Sequence, residues 1–235
     1  MGMNARWLQG NLIYHERGKP YRWLEAVGPT VSFVRYKGFN WPITTDALAG
    51  WVTTLVEAGA GESTVTGAVA ELGGGLLITT DANEDDGVTL CRAGEGFQCA
   101  AGKPFYFGIK CKVSEATQSD FYLGLSVIST GPLGGVTDGV AFRKPDGSTT
   151  CVLVVEKNST ETTATALTVN TSFHVYEIVW DGATLNFYVD GVQLTTPAQT
   201  NVPDDELLTP IVQFLAGSTT AKTMTIEWLA AGQIA

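Results

Sequence analysis

Short runs of alternating hydrophobic and polar residues follow one another along most of the chain. Alternation with a period of two is typical of a β-strand that buries one of its faces. Residues that favour turns, mainly Gly, Asp, Ser and Pro, separate the runs, and many short strands at this spacing are typical of a β-sandwich or barrel. The pattern predicts strands at residues 63–70, 75–80, 87–91, 105–113, 121–128, 139–143, 150–156 and 172–180, with three further strands near the C-terminus.

The clearest predicted hairpin covers residues 176–194. It contains two Asp-Gly dipeptides, at 181–182 and 190–191, and glycine accepts the positive φ that tight hairpin turns need. Between these turns Leu185, Phe187 and Val189 fall on one face of a strand. We therefore expect a three-stranded meander with one buried face. Residues 223–228 alternate in the same way and predict a last strand.

The first 60 residues have a different character. Residues 1–45 are dense in aromatic side chains but lack sustained periodicity, so we expect short extended pieces, with a strand at 30–36 that ends before Gly38 and Pro42. Residues 46–58 fit either a helix or a strand. Glycines at 59 and 61 mark a boundary. The predicted organisation is an irregular N-terminal arm or attachment segment at 1–60 and a β-sandwich at 61–235.

The charge is unevenly distributed and limits the partners of the chain. The formal net charge is −10, which argues against nucleic acid as a partner because phosphate binding depends on clustered Lys and Arg. Residues 1–40 nevertheless carry six basic and two acidic side chains, so the remainder is strongly acidic. We expect the basic, aromatic segment either to contact an acidic partner or to pack against the body of its own chain.

Other features of the sequence also argue against particular locations and cofactors. No signal-peptide pattern and no apolar run of transmembrane length is present in the sequence, so we expect no membrane partner. The cysteines lack the spacing of a zinc site, and we expect them to be small apolar strand residues, with disulfides as the alternative. They are Cys91, Cys99, Cys111 and Cys151.

No catalytic group stands out. Glycosidases with a sandwich of this kind carry their carboxylates on one strand as Glu-x-Asp-x-x-Glu, and that string is absent from the chain. Glu156 and Glu177 alternate with apolar neighbours and are expected on solvated faces, and residues 204–206 are expected in an acidic turn. His174 lies inside a predicted strand. The sequence therefore predicts neither a hydrolase nor another enzyme.

The acidic loop at residues 81–87 is a candidate calcium site. Asp81, Asn83 and Asp85 imitate the start of an EF-hand loop. Asp86 occupies the position where that loop needs glycine, and Arg92 the position of its bidentate glutamate. A plain acidic hairpin loop is the favoured interpretation, a looser calcium site the alternative, and no metal or cofactor is predicted.

Several segments resemble known proteins. The segment VWDGATLNFYVDGV at 179–192 is similar to the penultimate hairpin of concanavalin-like and laminin-G-like jelly rolls. Four further segments extend the likeness: AGKPFYFG at 101–108, SEATQSDFYLGL at 114–125, GVAFRKPDGS at 139–148 and LLTP at 207–210. Together, over residues 65–235, they resemble virion structural proteins of tailed bacteriophages that carry this jelly roll. The resemblance implies an all-β antiparallel sandwich of the concanavalin A/laminin-G type.

The resemblance also implies a function. It points to a capsid decoration or cement protein, made in the host cytoplasm and bound to the major capsid protein on the virion surface. In this hypothesis the N-terminal segment contacts the capsid through Trp7, Tyr14, Arg22 and Trp23, since aromatic and Arg side chains often anchor interfaces. A homo-oligomer, with a trimer as the guess, is expected. The alternative is a lectin-like module that binds glycans through exposed aromatic residues such as Tyr122 or Tyr188.

Overall fold

The computed structural model describes residues 2–37, 50–59, 61–68 and 74–235. Apart from short 3-10 turns at Pro132–Gly134 and Gln199–Asn201, the regular elements in these ranges are β-strands. The first nine are β1 Met3–Leu8, β2 Asn11–Glu16, β3 Lys19–Val27, β4 Val31–Lys37, β5 Trp51–Val56, β6 Thr64–Gly67, β7 Leu76–Thr79, β8 Gly87–Arg92 and β9 Phe105–Val113. The others are β10 Ser119–Ser126, β11 Gly139–Lys144, β12 Thr150–Lys157, β13 Thr160–Thr168, β14 His174–Trp180, β15 Leu185–Val189, β16 Val192–Gln193, β17 Thr209–Ala216 and β18 Thr223–Ile234.

Two large antiparallel sheets pack face to face. The first has the strand order β13-β12-β11-β10-β17-β8-β5 and is called the cleft sheet below. The second has the order β16-β15-β14-β9-β18-β7-β6, with β4 paired to β18, and is called the back sheet. This arrangement confirms the predicted all-β antiparallel sandwich. Among the described residues, no helix is long and apolar enough to cross a membrane.

The core lies between these two sheets and follows from the alternation of side chains along the strands. Phe121, Leu123 and Leu125 of β10 are at most 1% exposed and point inward. Phe142 of β11 meets Tyr176 of β14 at a ring-centroid distance of 5.2 Å, so the two sheets interlock through aromatic contacts. Burial of these apolar side chains is the main source of stability in such a sandwich.

The segment predicted to be an irregular arm is an ordered sheet. β1, β2 and β3 form a three-stranded antiparallel sheet, and β2 and β3 pack on the outer face of the back sheet. Ile13 and Trp23 are buried there against Tyr106 and Val179. The sequence pattern did not predict this three-stranded sheet because its short strands are irregularly paired, with register shifts between β2 and β3 at His15.

This packing corrects the prediction that Glu177 lies on a solvated face. The Glu177 side chain is 0% exposed, because the three-stranded sheet covers the back sheet on the side that faces away from the core. Both oxygens of Glu177 accept hydrogen bonds from the Arg22 guanidinium, and Tyr106 Oη donates to Glu177 Oε1 at 3.0 Å. The meander of β14, β15 and β16 is therefore covered on two faces rather than one.

Residues 31–37 lie in the back sheet as β4, and residues 51–56 lie in the cleft sheet as β5. The ambiguous segment 46–58 is thus a strand at 51–56, and residues 46–49 lie outside the described residues. The predicted breakers Gly38 and Pro42, residue 60 at the predicted boundary, and residues 69–70 of the predicted strand 63–70 also lie outside them.

The predicted turn at Asp190-Gly191 is confirmed by its backbone. Both residues have positive φ, 52° and 85°, as a primed hairpin turn requires. Leu185, Phe187 and Val189 point into the core as expected. The alternation did not single out β13, whose burial pattern is mostly exposed, or the edge strand β1.

Candidate functional site

A large cleft lies on the outer face of the cleft sheet. Its volume is about 860 Å³, near the upper end of the range for ligand pockets. It extends from Thr54 on β5 across β17 and β10 to Thr163 on β13, so it runs transverse to the strands. The loop after β10 contributes Leu133 to the rim. This is the outward face of the sandwich, opposite to the core.

The cleft exists because the outward positions of the central strands differ from the inward ones. The outward positions of β11 carry Gly139 and Ala141, which are small, and Arg143. Tyr122, on the neighbouring strand, fills the space next to Gly139: a Cβ built on that glycine would lie 2.5 Å from Tyr122 Oη. Tyr122 is 1% exposed and therefore belongs to the floor under the cleft rather than to its surface.

Two carboxyl groups meet on one wall of the cleft. Asp120 is at the beginning of β10, and Asp146 follows the end of β11. Both approach Gly217, at the end of β17: a Cβ built there would lie 2.9 Å from Asp120 Oδ1 and would also clash with Asp146 Oδ1. These two oxygens are therefore at most about 5 Å apart, which is shorter than the carboxyl separation of about 6.5 to 9.5 Å in inverting glycosidases.

The two carboxyl groups have different environments. Asp120 is 4% exposed, and its Oδ1 has no hydrogen-bond partner within the part of the chain that the structure describes. Burial raises the pKa of Asp120 to about 7, and the negative charges of Asp146 and Asp85 act in the same direction. Asp146 is exposed, and Gln118, with its amide nitrogen facing the available acceptors, donates to Asp146 Oδ1 at 2.7 Å. One member of the pair is thus poised to hold a proton near neutral pH.

A second group of charged residues lies farther along the cleft. Arg143 forms a two-pronged ion pair with Glu161 of β13, one branch at 2.8 Å, and both residues line the cleft. Glu156 lies beside Glu161 in the register of β12 and β13. The prediction that Glu156 is solvated is wrong, because it is 7% exposed; burial and the charge of Glu161 raise its pKa.

The four residues predicted to contact a capsid do not form one surface. Trp7 is 72% exposed on the edge strand β1, and Tyr14 is half-buried on β2. Arg22 and Trp23 are 7% and 3% exposed because they pack between the three-stranded sheet and the back sheet. Arg22 and Trp23 therefore make their contacts inside the molecule. This agrees with the alternative that the N-terminal segment packs against the body of its own chain.

Other predicted site residues are satisfied locally. Tyr188 stacks on Tyr21 with ring centroids 3.9 Å apart, so one face of its ring is covered. His174 Nδ1 lies 2.7 Å from Asp190 Oδ2. In the acidic loop at residues 81–87, the candidate calcium site, Asn83 Nδ2 donates to Asp86 Oδ2 at 2.9 Å. The described residues contain no cluster of three or more His, Cys, Asp or Glu that could hold a metal ion. The four cysteines are unpaired and buried.

The sequence comparisons connect part of the chain with carbohydrate chemistry. Residues 147–229 match the family described as glycosyl hydrolases family 16. The matched segment begins directly after Asp146 and extends from β12 to β18, so it covers less than half of the chain and includes neither Asp120 nor Asp146. A comparison with curated proteins finds no match.

Solved structures share the fold at low sequence identity. A protein of unknown function from Shewanella oneidensis MR-1 has a TM-score of 0.61 and 11% identity, with 88% of each chain covered. A GH16 protein from the Bacteroides ovatus mixed linkage glucan PUL, in complex with the product G4G4G3G, has a TM-score of 0.60 and 10% identity over 84% of this chain and 99% of that one. An endo-1,3-beta-glucanase from Streptomyces sioyaensis has a TM-score of 0.58 and 14% identity over 90% and 100%.

These findings correct the functional predictions from sequence. The assignment to a phage capsid decoration protein on a virion surface is wrong, because the family match is to glycosyl hydrolases. The prediction that the chain is not an enzyme is contradicted by the same match. That prediction relied on the absence of several carboxylates from one strand, whereas the structure brings Asp120 and Asp146 together from two different segments. What the comparisons establish is the fold of these glucanases over most of the chain and a family match over its C-terminal part.

Proposed function

We propose that this protein is a glycoside hydrolase whose cleft binds a β-glucan chain and whose carboxyl pair, Asp120 and Asp146, cleaves it. The observation that carries the proposal is the pairing itself: an oxygen of the exposed Asp146 lies at most about 5 Å from the buried Oδ1 of Asp120, and both residues line a large cleft. The match of residues 147–229 with glycosyl hydrolases family 16 supports the reaction class. Two proteins with a similar structure, the GH16 protein from the mixed linkage glucan PUL and the endo-1,3-beta-glucanase, support the substrate class.

The different environments assign the two roles. Asp120 is buried, and its raised pKa keeps the carboxyl group protonated near neutral pH, so it would act as the general acid. It would protonate the glycosidic oxygen as the bond to the anomeric carbon breaks. Asp146, which is exposed at the cleft, would act as the nucleophile and form a glycosyl ester. Water would then attack that ester and transfer a proton to Asp120, which restores both groups.

The shape of the cleft suits a polymer. It runs across the cleft sheet from one edge to the other, so several linked sugar units can lie end to end across the strands. The outward polar groups, among them Gln213 and the Arg143–Glu161 pair, offer hydrogen bonds to sugar hydroxyls. Gln213 Oε1 already accepts a hydrogen bond from Leu133 N at 2.7 Å, which fixes the direction of the amide.

The test is the release of reducing ends from mixed-linkage β-glucan and from β-1,3-glucan. Purified protein should hydrolyse at least one of them, and Asp120→Asn and Asp146→Asn should each lower kcat/KM by about 100-fold or more. Asp181→Asn is the matched control, because Asp181 is an exposed turn residue that does not line this cleft. Absence of hydrolysis by a folded wild-type protein, or activity that survives both substitutions, would overturn the proposal.

The stereochemistry of the product gives an independent check. The short separation of the carboxyl groups implies a covalent intermediate and retention of the anomeric configuration, since inverting enzymes hold their carboxyl groups about 6.5 to 9.5 Å apart. Proton NMR of the first product should therefore show the β-anomer before mutarotation. Initial appearance of the α-anomer would exclude Asp146 as the nucleophile.

A further inference from the structure

A buried lysine lies next to the carboxyl pair. Lys144 is the last residue of β11, and its side chain is 0% exposed. Its ammonium group donates to the carbonyl oxygen of Thr117 at 2.9 Å and to that of Pro145 at 3.1 Å. A fully buried lysine is uncommon because removing its charge from water is costly, so its position calls for compensating contacts.

The two carbonyl groups belong to the segments that carry the pair. Pro145 directly precedes Asp146, and Thr117 precedes β10, which begins one residue before Asp120. Gln118, between Thr117 and β10, donates to Asp146 Oδ1 when its amide is oriented with the nitrogen toward this oxygen. One ammonium group therefore joins the two stretches of backbone whose relative position sets the separation of the carboxyl groups.

We propose that Lys144 is a positioning residue of the carboxyl pair: its ammonium group holds the segments of Asp120 and Asp146 together, and its positive charge acts on both carboxyl groups. As a statement about catalysis this rests on the proposed function, but the geometry and the charge can be tested without any substrate.

The charges around Asp120 determine how a substitution of Lys144 should change the pKa of Asp120. Lys144 is the cation that favours the ionised form of Asp120, while Asp146, Asp85 and Glu84 disfavour it. In return, burial lowers the pKa of Lys144, and the two aspartates Asp120 and Asp146 raise it. Removal of the lysine charge should therefore raise the pKa of Asp120, and removal of the Asp146 charge should lower it.

The experiment is an NMR titration of the Asp120 carboxyl carbon in wild type, Lys144→Gln, Lys144→Met and Asp146→Asn. Gln keeps hydrogen-bond donors for the two carbonyl groups without the charge, whereas Met removes both. We expect both lysine variants to raise the pKa of Asp120 by about one unit and Asp146→Asn to lower it by a similar amount. Lys157→Met is the control: it removes the same charge at the surface, where Lys157 pairs with Asp204, and should leave Asp120 unchanged.

If Lys144 has only a structural role, the lysine variants should lower the stability and leave the pKa of Asp120 unchanged. That result would overturn the proposal. If neither lysine variant folds, the reciprocal measurement decides, because the coupling of two sites acts equally in both directions. Asp120→Asn should then lower the pKa of the Lys144 ammonium group, because the Asp120 charge raises it, and an unchanged value would refute the coupling. Failure to hydrolyse glucans, by contrast, would overturn the proposed function and leave this result intact.

Discussion

The buried contact between Arg22 and Glu177 gives the sharpest prediction about stability. Arg22, from the three-stranded sheet, bonds to both oxygens of Glu177 on β14 and to Glu16 Oε2 at 2.8 Å. Arg22→Met retains much of the aliphatic volume but leaves the Glu177 carboxylate, 0% exposed, with the Tyr106 hydroxyl as its hydrogen-bond partner among the described side chains. Loss of one partner of a buried ion pair costs about 3 to 5 kcal/mol. That is a large part of a typical total stability of about 5 to 15 kcal/mol.

The assay is urea unfolding at 25 °C, followed by tryptophan fluorescence and by circular dichroism. The variant should lose about 3 to 5 kcal/mol at pH 7. The loss should be smaller at pH 5, because burial raises the pKa of Glu177 and the hydrogen bonds from Arg22 that oppose this are gone. Below the raised pKa the carboxyl group can be buried in its neutral form.

A double variant distinguishes the buried charge from simple loss of packing. Arg22→Met with Glu177→Gln removes both charges, and the glutamine can still accept from Tyr106, so more than half of the lost stability should return. A loss below about 1 kcal/mol for Arg22→Met, or a double variant as unstable as the single one, would refute the reasoning about the buried pair.

Three further predictions concern pH, the core and the thiols. The folded-state pKa of Asp120 is raised to about 7 from 3.8, so the native state holds a proton that the unfolded chain releases; stability should fall as the pH rises between these values, and urea midpoints of Asp120→Asn should lack this decline. Phe142→Ala removes a fully buried ring that contacts Tyr176 and Phe187, and should cost about 3 to 5 kcal/mol in urea unfolding; a loss under about 1 kcal/mol would contradict the described core. The four cysteines should react with a thiol reagent only when the protein is denatured, and rapid labelling of the native protein would contradict their burial.

The sequence predicted the sandwich well, because its strands obey a simple rule of alternation. The strand predicted at 105–113 matches β9 residue for residue, and the Asp-Gly turn at 190–191 has the expected backbone. These features depend on local chemistry alone. The three-stranded sheet was missed because its strands pack against a distant part of the chain, and nothing local indicates that Arg22 pairs with a residue 155 positions away.

The candidate site was out of reach of sequence patterns for a related reason. Asp120 and Asp146 belong to different segments, and their approach is visible only where both meet Gly217 after the strands have paired. The Glu-x-Asp-x-x-Glu motif places its carboxylates on one strand, so it does not describe such a pair. A weak signal did exist in the sequence: Asp120 directly precedes the mostly apolar run 121–125. The structure then shows that every residue of this strand is buried. A charged residue in such a strand is a candidate for a functional site.

NMR mapping of a bound glucan tests directly whether this cleft is the glycan-binding site. A mixed-linkage β-glucan tetrasaccharide would be titrated into ¹⁵N-labelled Asp120→Asn protein, in which cleavage is suppressed. We expect saturable chemical-shift changes at amides along the cleft, including those of Gly131, Arg143, Asp146 and Gln213. Changes confined to the back sheet or the three-stranded sheet, or no change at millimolar concentrations of the tetrasaccharide, would contradict the assignment of this cleft as the glycan-binding site.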